Sequence, residues 1–485
     1  MTAEERITQL EKELAEERAK TARLQAENEQ LHSSMEHLQR RLQEVEARLA
    51  KDSHNSSKPP SSDGPGRKPR AHRKKSEKPS GGQPGHIGRT LMQVASPDTI
   101  VSHRPEVCTS CQSDLRQTSG IVRERRQVHD LPELRLIVQE HQVEEVRCPT
   151  CQHMNRACFP AEVDAPACYG PRVQALAVYL SQFQLLPMER TCEALEDLYG
   201  CSIAEGTLMN WTLEAAQRLE PTMERIKALL ASGRFKHADE TGMRIKGRLH
   251  WTHVSCTPWL TCYAWHRKRG KEALESIGIW PNFRGRAMRD RWASYDQYDC
   301  DHSLCGAHLV RDCTSVAEQD QQKWAADMLE VLLGMAKAAQ AWRERGDRAV
   351  PVDERDVWVA QYFEVLAAGF AAQAPPRHEN PPKHKGRRKQ SAAKNLLDAL
   401  LQRAEMVLAF LDDLSLPFTN NLAERDLRMI KVQQKISGSF RSEAGATAFC
   451  TLRSYLSTMR KQGRSMLAAM AAVFAGSPFP VAWGT

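Results

Sequence analysis

The sequence lacks several things that would settle its class at once. Across 485 residues, aromatic side chains make up only 6 %. No apolar run is long enough to span a bilayer, so a transmembrane helix is not expected. The opening MTAEERITQLEKELAEER is charged throughout and lacks the apolar stretch of a secretory signal, so export is not expected either. Without an oxidising compartment, the 14 cysteines read as metal ligands or plain buried thiols rather than disulfides. Charge of one sign is also scarce: 68 Lys+Arg stand against 60 Asp+Glu, a net +8. That balance alone does not announce a nucleic-acid partner, so the placement of the cations matters more than their sum. The length suggests about three domains or more.

Residues 2–50 lack both Pro and Gly. Apolar residues recur in a heptad register, with Ile7, Leu14, Met35, Leu42 and Leu49 at a positions and Leu10, Leu24, Leu31, Leu38 and Val45 at d positions. Asn28 at an a position favours a parallel dimer in register. The segment 1–50 is therefore expected to be a self-associating coiled coil. The bland alternative is a single solvated helix.

Residues 51–95 are the reverse: rich in Pro, Ser, Gly and cations, with no apolar period. This reads as a flexible basic linker. Arg73, Lys74 and Lys75 are its densest cluster, suited to DNA phosphates. A solubilising spacer is the alternative.

In 96–165, Cys108-x2-Cys111 and Cys148-x2-Cys151 each have the spacing of a zinc knuckle. Two knuckles complete a four-thiolate tetrahedral site, closed to substrate and hence structural. The alternating Glu133–Gln139 stretch is expected to be a strand of that zinc ribbon. Residues 166–232 read as helices, with ERTCEALEDLYG and LMNWTLEAAQRL resembling a helix-turn-helix DNA-binding module. The second helix carries few cations, so an ordinary helical hairpin is an equal reading.

From 233 the pattern changes to strands. Strands are expected at 235–245, 248–255 and 260–266, then a helix over 271–277 and a strand at 286–289. Three antiparallel strands, a helix and a fourth strand open a ribonuclease-H-like fold. In that plan a first carboxylate lies on the first strand and a second at the end of the fourth, the positions of Asp239 and Asp290. Asp296, Asp299 and Asp301 are neighbouring candidates for the second. Downstream, Thr419 or Asn420 can cap a helix. On it Glu424, Arg428, Lys431 and Lys435 share one face, suited to substrate phosphates, and Ala423, Leu427 and Ile430 form an apolar stripe. Two strand carboxylates and one helix carboxylate can hold two Mg²⁺ ions for phosphodiester chemistry. By spacing alone, three unrelated surface acids are as good a reading.

Several stretches together resolve that tie: SSKPPSSDG at 56–64, GGQPGHIGRT at 81–90, the two CxxC pairs, HADETGMRIKGRLHWTHV at 237–254, DRWASY at 290–295, CGAHLVRD at 305–312 and TNNLAERDLRMIKVQQKISGSFRS at 419–442. In this order they resemble the insertion-sequence-66 family of bacterial transposases. The resemblance implies a D-D-E transposase with an α/β ribonuclease-H-like core and a catalytic triad of Asp239, Asp290 and Glu424. It implies Mg²⁺-dependent cleavage and strand transfer in the bacterial cytoplasm, at the nucleoid. The expected partners are double-stranded DNA with terminal inverted repeats, target DNA, further copies of the chain and other element-encoded proteins. The core would comprise 233–305 and 416–485, interrupted by an α-helical insertion at 306–415 with its own basic linker, containing Lys383, Lys385, Arg387, Arg388 and Lys389. Cys305 and His308 resemble a C-x2-H element that supports the active-site loop, with His302 as a further partner, unless they are simply a buried Cys and His. A catalytically inactive DNA-binding protein of the same architecture is the second functional reading. A zinc hydrolase ranks last, because no HExxH stretch occurs.

Overall fold

The computed structural model describes residues 3–49, 90–160, 162–373 and 390–483. The basic cluster Arg73, Lys74 and Lys75 and the second linker's cations at 383–389 lie outside the described residues. Two compact units emerge. One holds the N-terminal helix with 165–192 and 203–483, the other holds 90–164 and 193–202.

The Pro- and Gly-free N-terminus forms one helix, α1 (Ala3–Leu49). Its heptad residues Leu14, Leu24, Leu31, Met35, Leu38, Leu42, Val45 and Leu49 are all exposed, so no described residue covers this ridge.

The second unit has little regular structure. Its strands β1 (Glu145–Arg147) and β2 (Met154–Arg156) form an antiparallel hairpin around Cys148 and Cys151. The strand expected at 133–139 does not form. Ile137 and Val138 are almost fully exposed, so nothing there rewards an alternating pattern with burial.

In the first unit, α2 (Pro171–Val178) begins at a proline, whose missing N–H costs nothing at a helix start. It widens into a π-helical turn at Tyr179–Phe183. Leu185, at φ 64°, precedes α3 (Met188–Tyr199), whose residues from 193 onward belong to the second unit. α4 (Glu205–Arg218) and α5 (Glu220–Ser232) follow. α4 turns Leu208, Trp211, Thr212, Ala215 and Ala216 inward and packs on α2.

The central sheet contains β3 (Phe235–Ile245), β4 (Arg248–Cys256), β5 (Thr261–His266), β6 (Arg286–Arg289) and β7 (Asp301–Leu304). Spatial order is β5-β4-β3-β6-β7. β3 runs antiparallel to β4 and parallel to β6, with Asp239 opposite Val254. α6 (Lys271–Ile277) joins β5 to β6. The first four strands and α6 lie where the alternation put them, within a residue. β7 was not expected, because Asp301, His302 and Ser303 are polar and leave no apolar alternation to read.

Side-chain alternation splits β3 between two cores. Met243 and Ile245 face Ala423, Leu427 and Ile430, whereas Ala238 faces Trp280, Phe283 and Tyr295 on the other side. The interruption after β7 is helical: α7 (Gly306–Gln319), α8 (Lys323–Arg345), α9 (Val352–Ala372), α10 (Ala392–Gln402) and α11 (Ala404–Asp412). Its core includes the stripe Trp324, Met328, Leu332 and Met335, as the helical spacing implied. The chain then returns to the sheet with α12 (Asn421–Ser437), α13 (Glu443–Lys461) and α14 (Met466–Phe474). α12 lies across β3 and β4, and α13 lies across β5 and packs on α4.

Candidate active site

The face of β3 that meets α12 carries Asp239. Strand periodicity puts its carboxylate in the interior, where its Oδ1 accepts a hydrogen bond from the Glu240 amide at 2.8 Å. Burial holds the Asp239 carboxyl well above the usual range, and the charges of Glu240, Asp290 and Glu424 push it the same way. Asp290 and Glu424, from β6's end and the first turn of α12, are therefore within electrostatic reach of it. No described cation pairs with Asp239.

Asp290 directly follows β6, and its Oδ1 accepts the Trp292 amide at 2.9 Å, which fixes the turn. Two of the neighbouring acids are engaged elsewhere. Asp296 is bound by the buried Arg289 and, at 2.6 Å, by Arg403. Asp301 pairs with Arg286 at 3.0 Å. Arg289 also donates to the Asp290 carbonyl and to His302 Nδ1, each at 3.0 Å, so it steadies the loop from behind.

Glu424 is placed by the packing of α12. Ala423, Leu427 and Ile430 are buried against the sheet, at about 1.5–3 kcal/mol for each of the larger two. Asn420 occupies the N-cap position, as expected, but its side chain does not cap the helix. It is fully buried and turned across to β3, where Nδ2 donates to the Ala238 carbonyl at 2.8 Å and Oδ1 meets His237 Nδ1 at 2.8 Å. Its own amide donates to Cys305 Sγ at 3.1 Å. Glu424 Oε1 lies 3.8 Å from His308 Nδ1 and 3.5 Å from an Arg311 guanidinium nitrogen.

Cys305 precedes α7 and His308 lies in its first turn. Burial pushes the Cys305 thiol up to about 12, helped by the Glu424 charge, and lowers His308 from its ordinary value. His302 does not join them. It is held by Arg289, and its Nε2 faces the Tyr298 carbonyl. Gly306 is required by contact: a Cβ there would fall 2.2 Å from the Phe418 ring, whose backbone carbonyl accepts the Gly306 amide at 2.8 Å.

Glu240, the next residue along β3, escaped the sequence reading. Strand alternation sends it to the opposite face, where its side chain is 1 % exposed. Arg269 donates to Oε1 through Nε at 2.9 Å and through a terminal nitrogen at 2.6 Å, and the Tyr295 hydroxyl donates to Oε2. Arg269 lies between the rings of Trp251 and Trp292, at 4.8 and 4.3 Å from their centroids. The available signal was an acid pair, Asp239-Glu240, inside an otherwise buried strand.

On the far face of α12, Arg428 and Lys435 are exposed. Lys431 is not free for a ligand: its Nζ donates to the Gly242 carbonyl at 2.8 Å, and burial lowers it.

The second unit holds the two cysteine pairs in matching turns. Cys108 N donates to Ser113 O and Cys148 N to His153 O, both at 2.8 Å, while Gln112 and Gln152 adopt φ of 61° and 62°. The Ser113 hydroxyl, 3.0 Å from Cys111 Sγ, helps to bring that thiol down to about 7. Backbone bonds at Cys151 and Thr150 lower Cys148. The two pairs do not converge into one group of donors. Among the described residues, the one set of three potential ligands within 4.8 Å of one another is Cys305, His308 and Glu424.

The chain thus pairs a mixed α/β fold with acids that lie within electrostatic reach of one another beside a helical interruption. The transposase IS66 family matches residues 166–448, more than half of the chain. The chain belongs to this family of DDE transposases. A second family, of unknown function, matches residues 10–91. No curated protein matches the chain. No described helix is long and apolar enough to cross a membrane.

Proposed function

We propose that the chain is an active D-D-E transposase that cleaves the ends of a mobile element and joins them to target DNA, with Asp239, Asp290 and Glu424 as its catalytic carboxylates. The observation that carries this reading is Asp239 itself: a partly buried carboxylate whose pKa is raised by desolvation and by further acids, with no described cation paired to it. Such a charge is costly in isolation and fits a site that takes up divalent cations. An all-carboxylate oxygen set suits Mg²⁺. When bound, two Mg²⁺ ions would supply stabilisation of the attacking and leaving oxygens in an in-line phosphodiester displacement. The chain's own residues do the rest. Asp239 offers ligand oxygens from within β3, and Asp290 from the turn that follows β6. Asn420 fixes α12, and hence Glu424, against β3. Arg428 and Lys435 present cations to DNA phosphates.

The strand order supports a ribonuclease-H-like reading, since the first strand sits centrally between an antiparallel pair and a parallel pair. The exposed apolar ridge of α1 supports self-association as a coiled coil, and the two matching knuckle turns support structural zinc at Cys108, Cys111, Cys148 and Cys151, which the metal would have to draw together. The DNA partners are the element's terminal inverted repeats and a target duplex, with other element-encoded proteins taking part, in the bacterial cytoplasm at the nucleoid.

The test is cleavage and joining of matched element ends by full-length protein in Mg²⁺. Asp239→Asn is expected to lose both reactions while binding the ends at least as tightly. A variant that still cuts and joins would remove Asp239 from the chemistry. Wild-type protein that binds ends but never cuts would favour the second reading, an inactive DNA-binding protein.

A further inference from the structure

We propose that Cys305, His308 and Glu424 form a binding site for a thiophilic divalent cation of the zinc class, and that filling it withdraws Glu424 from Mg²⁺ and arrests strand cleavage. The site rests on geometry alone. Its consequence for cleavage rests on the reading of Glu424 given above.

The three donor atoms lie within 4.8 Å of one another, and His308 Nδ1 and Glu424 Oε1 are 3.8 Å apart. Around a tetrahedral zinc ion, ligand atoms stand about 3.3–3.6 Å from each other, given bonds of about 2.0–2.3 Å. The set therefore needs only small side-chain shifts to close on an ion.

Two of the donor atoms are buried and make no hydrogen bond. His308 Nδ1 and Glu424 Oε1 are sealed from solvent without a hydrogen-bond partner. Buried polar atoms left unpaired are uncommon and costly, and a ligand bond would satisfy both.

The donor chemistry separates this site from the Mg²⁺ positions. A thiolate and an imidazole favour zinc over magnesium, which prefers oxygen ligands alone. Cys305 and His308 stand three residues apart at the start of α7, so one helical turn presents both. The Asn420 amide bonded to Cys305 Sγ suits a thiolate, whose proton would leave to solvent on binding. Three protein ligands leave a fourth position for water. Arg311, 3.5 Å from Glu424, supplies a positive charge that the incoming ion would have to displace. A zinc ion on Oε1 would turn the Glu424 carboxylate toward His308 and add positive charge beside the Mg²⁺ position, so zinc here opposes catalysis.

The probe is Co²⁺, whose bond to a thiolate gives a charge-transfer absorption, titrated into full-length protein. Wild type should take up one more equivalent with a thiolate band than Cys305→Ser does. His308→Gln should weaken that equivalent by about tenfold or more. Cys148→Ser, which alters only the separate cysteine pairs, should keep it. In Mg²⁺-driven cleavage, zinc should inhibit wild type and Cys148→Ser alike. Cys305→Ser and His308→Gln, each compared with its own zinc-free rate, should need about tenfold more zinc or beyond. Equal Co²⁺ uptake with the same spectrum in wild type and Cys305→Ser would overturn the site. Uptake without zinc inhibition would overturn the competition for Glu424. If no protein cleaves DNA in Mg²⁺, the functional reading fails, while the Co²⁺ titration still decides the site.

Discussion

Asn420 Oδ1 lies 2.8 Å from His237 Nδ1, so the residue that opens α12 is bonded to the strand position two before Asp239. Its Nδ2 donates to the Ala238 carbonyl, which leaves Oδ1 as acceptor and His237 Nδ1 as the donor. One asparagine thus sets the separation of a strand carboxylate and a helix carboxylate. Asn420→Ala would leave buried groups on His237 and Ala238 unpaired. A stability loss of about 2–4 kcal/mol is expected, measured by urea denaturation. Under conditions where the variant is folded, cleavage should fall further than DNA binding. Equal losses in both would mean that Asn420 matters only for folding.

His237 links this contact to pH. Burial brings its imidazole down to about 4, against the raising effect of the Asn420 bond. The native state therefore keeps His237 neutral where the unfolded chain, titrating near 6.5, already takes up a proton. Stability from this group is present above about pH 6.5 and is lost as pH falls through about 4. The difference in unfolding free energy between wild type and His237→Gln should shrink over that interval, by at most about 3 kcal/mol. A difference constant from pH 7 to 4 would show that His237 does not titrate this way. Comparing the two proteins cancels the opposite trend from Asp239, whose raised carboxyl makes neutralisation favourable to the fold as pH falls.

Arg428 and Lys431 share a helix face but should behave differently. Arg428→Ala is expected to weaken DNA binding and to reduce its salt dependence by about one phosphate contact, with the thermal midpoint unchanged. Lys431→Ala should instead lower stability by about 1–3 kcal/mol, because the Gly242 carbonyl loses a charged donor. Salt-dependent binding isotherms and melting curves on both variants separate the roles. A salt slope altered by Lys431→Ala alone would reverse the assignment.

The cysteine pairs give a metal prediction independent of the carboxylates. Removing one thiol, as in Cys148→Ser, should release the structural zinc and destabilise the unit containing 90–164. Limited proteolysis should then cut that unit first and spare the sheet. Zinc content equal to wild type would sink the four-thiolate site.

Much of the first unit was legible because its signals are local. Strand alternation marked β3 to β6, the apolar stripe of Ala423, Leu427 and Ile430 fixed which side of α12 is buried, and heptads marked α1 as one long helix. Two readings failed: the polar Asp301, His302 and Ser303 of β7 carry no apolar alternation, and the alternation at 133–139 had no partner surface to reward it. Glu240 read as a neighbour of Asp239, yet strand geometry turns it to the other face of the sheet.

The sequence by itself determined the elements, the acids on them and the membership that their order implies, since propensity and periodicity act between residues close in the chain. Only the tertiary structure decided which polar side chain serves which partner. Asn420 reaches across to β3 instead of capping its helix, Lys431 is held by Gly242, and Asp296 is bound between two arginines while Asp290 remains beside Asp239. His308 lies against Glu424 rather than His302. Each choice is made by burial, which forces polar groups to find partners far away in sequence, and no local pattern encodes that distance.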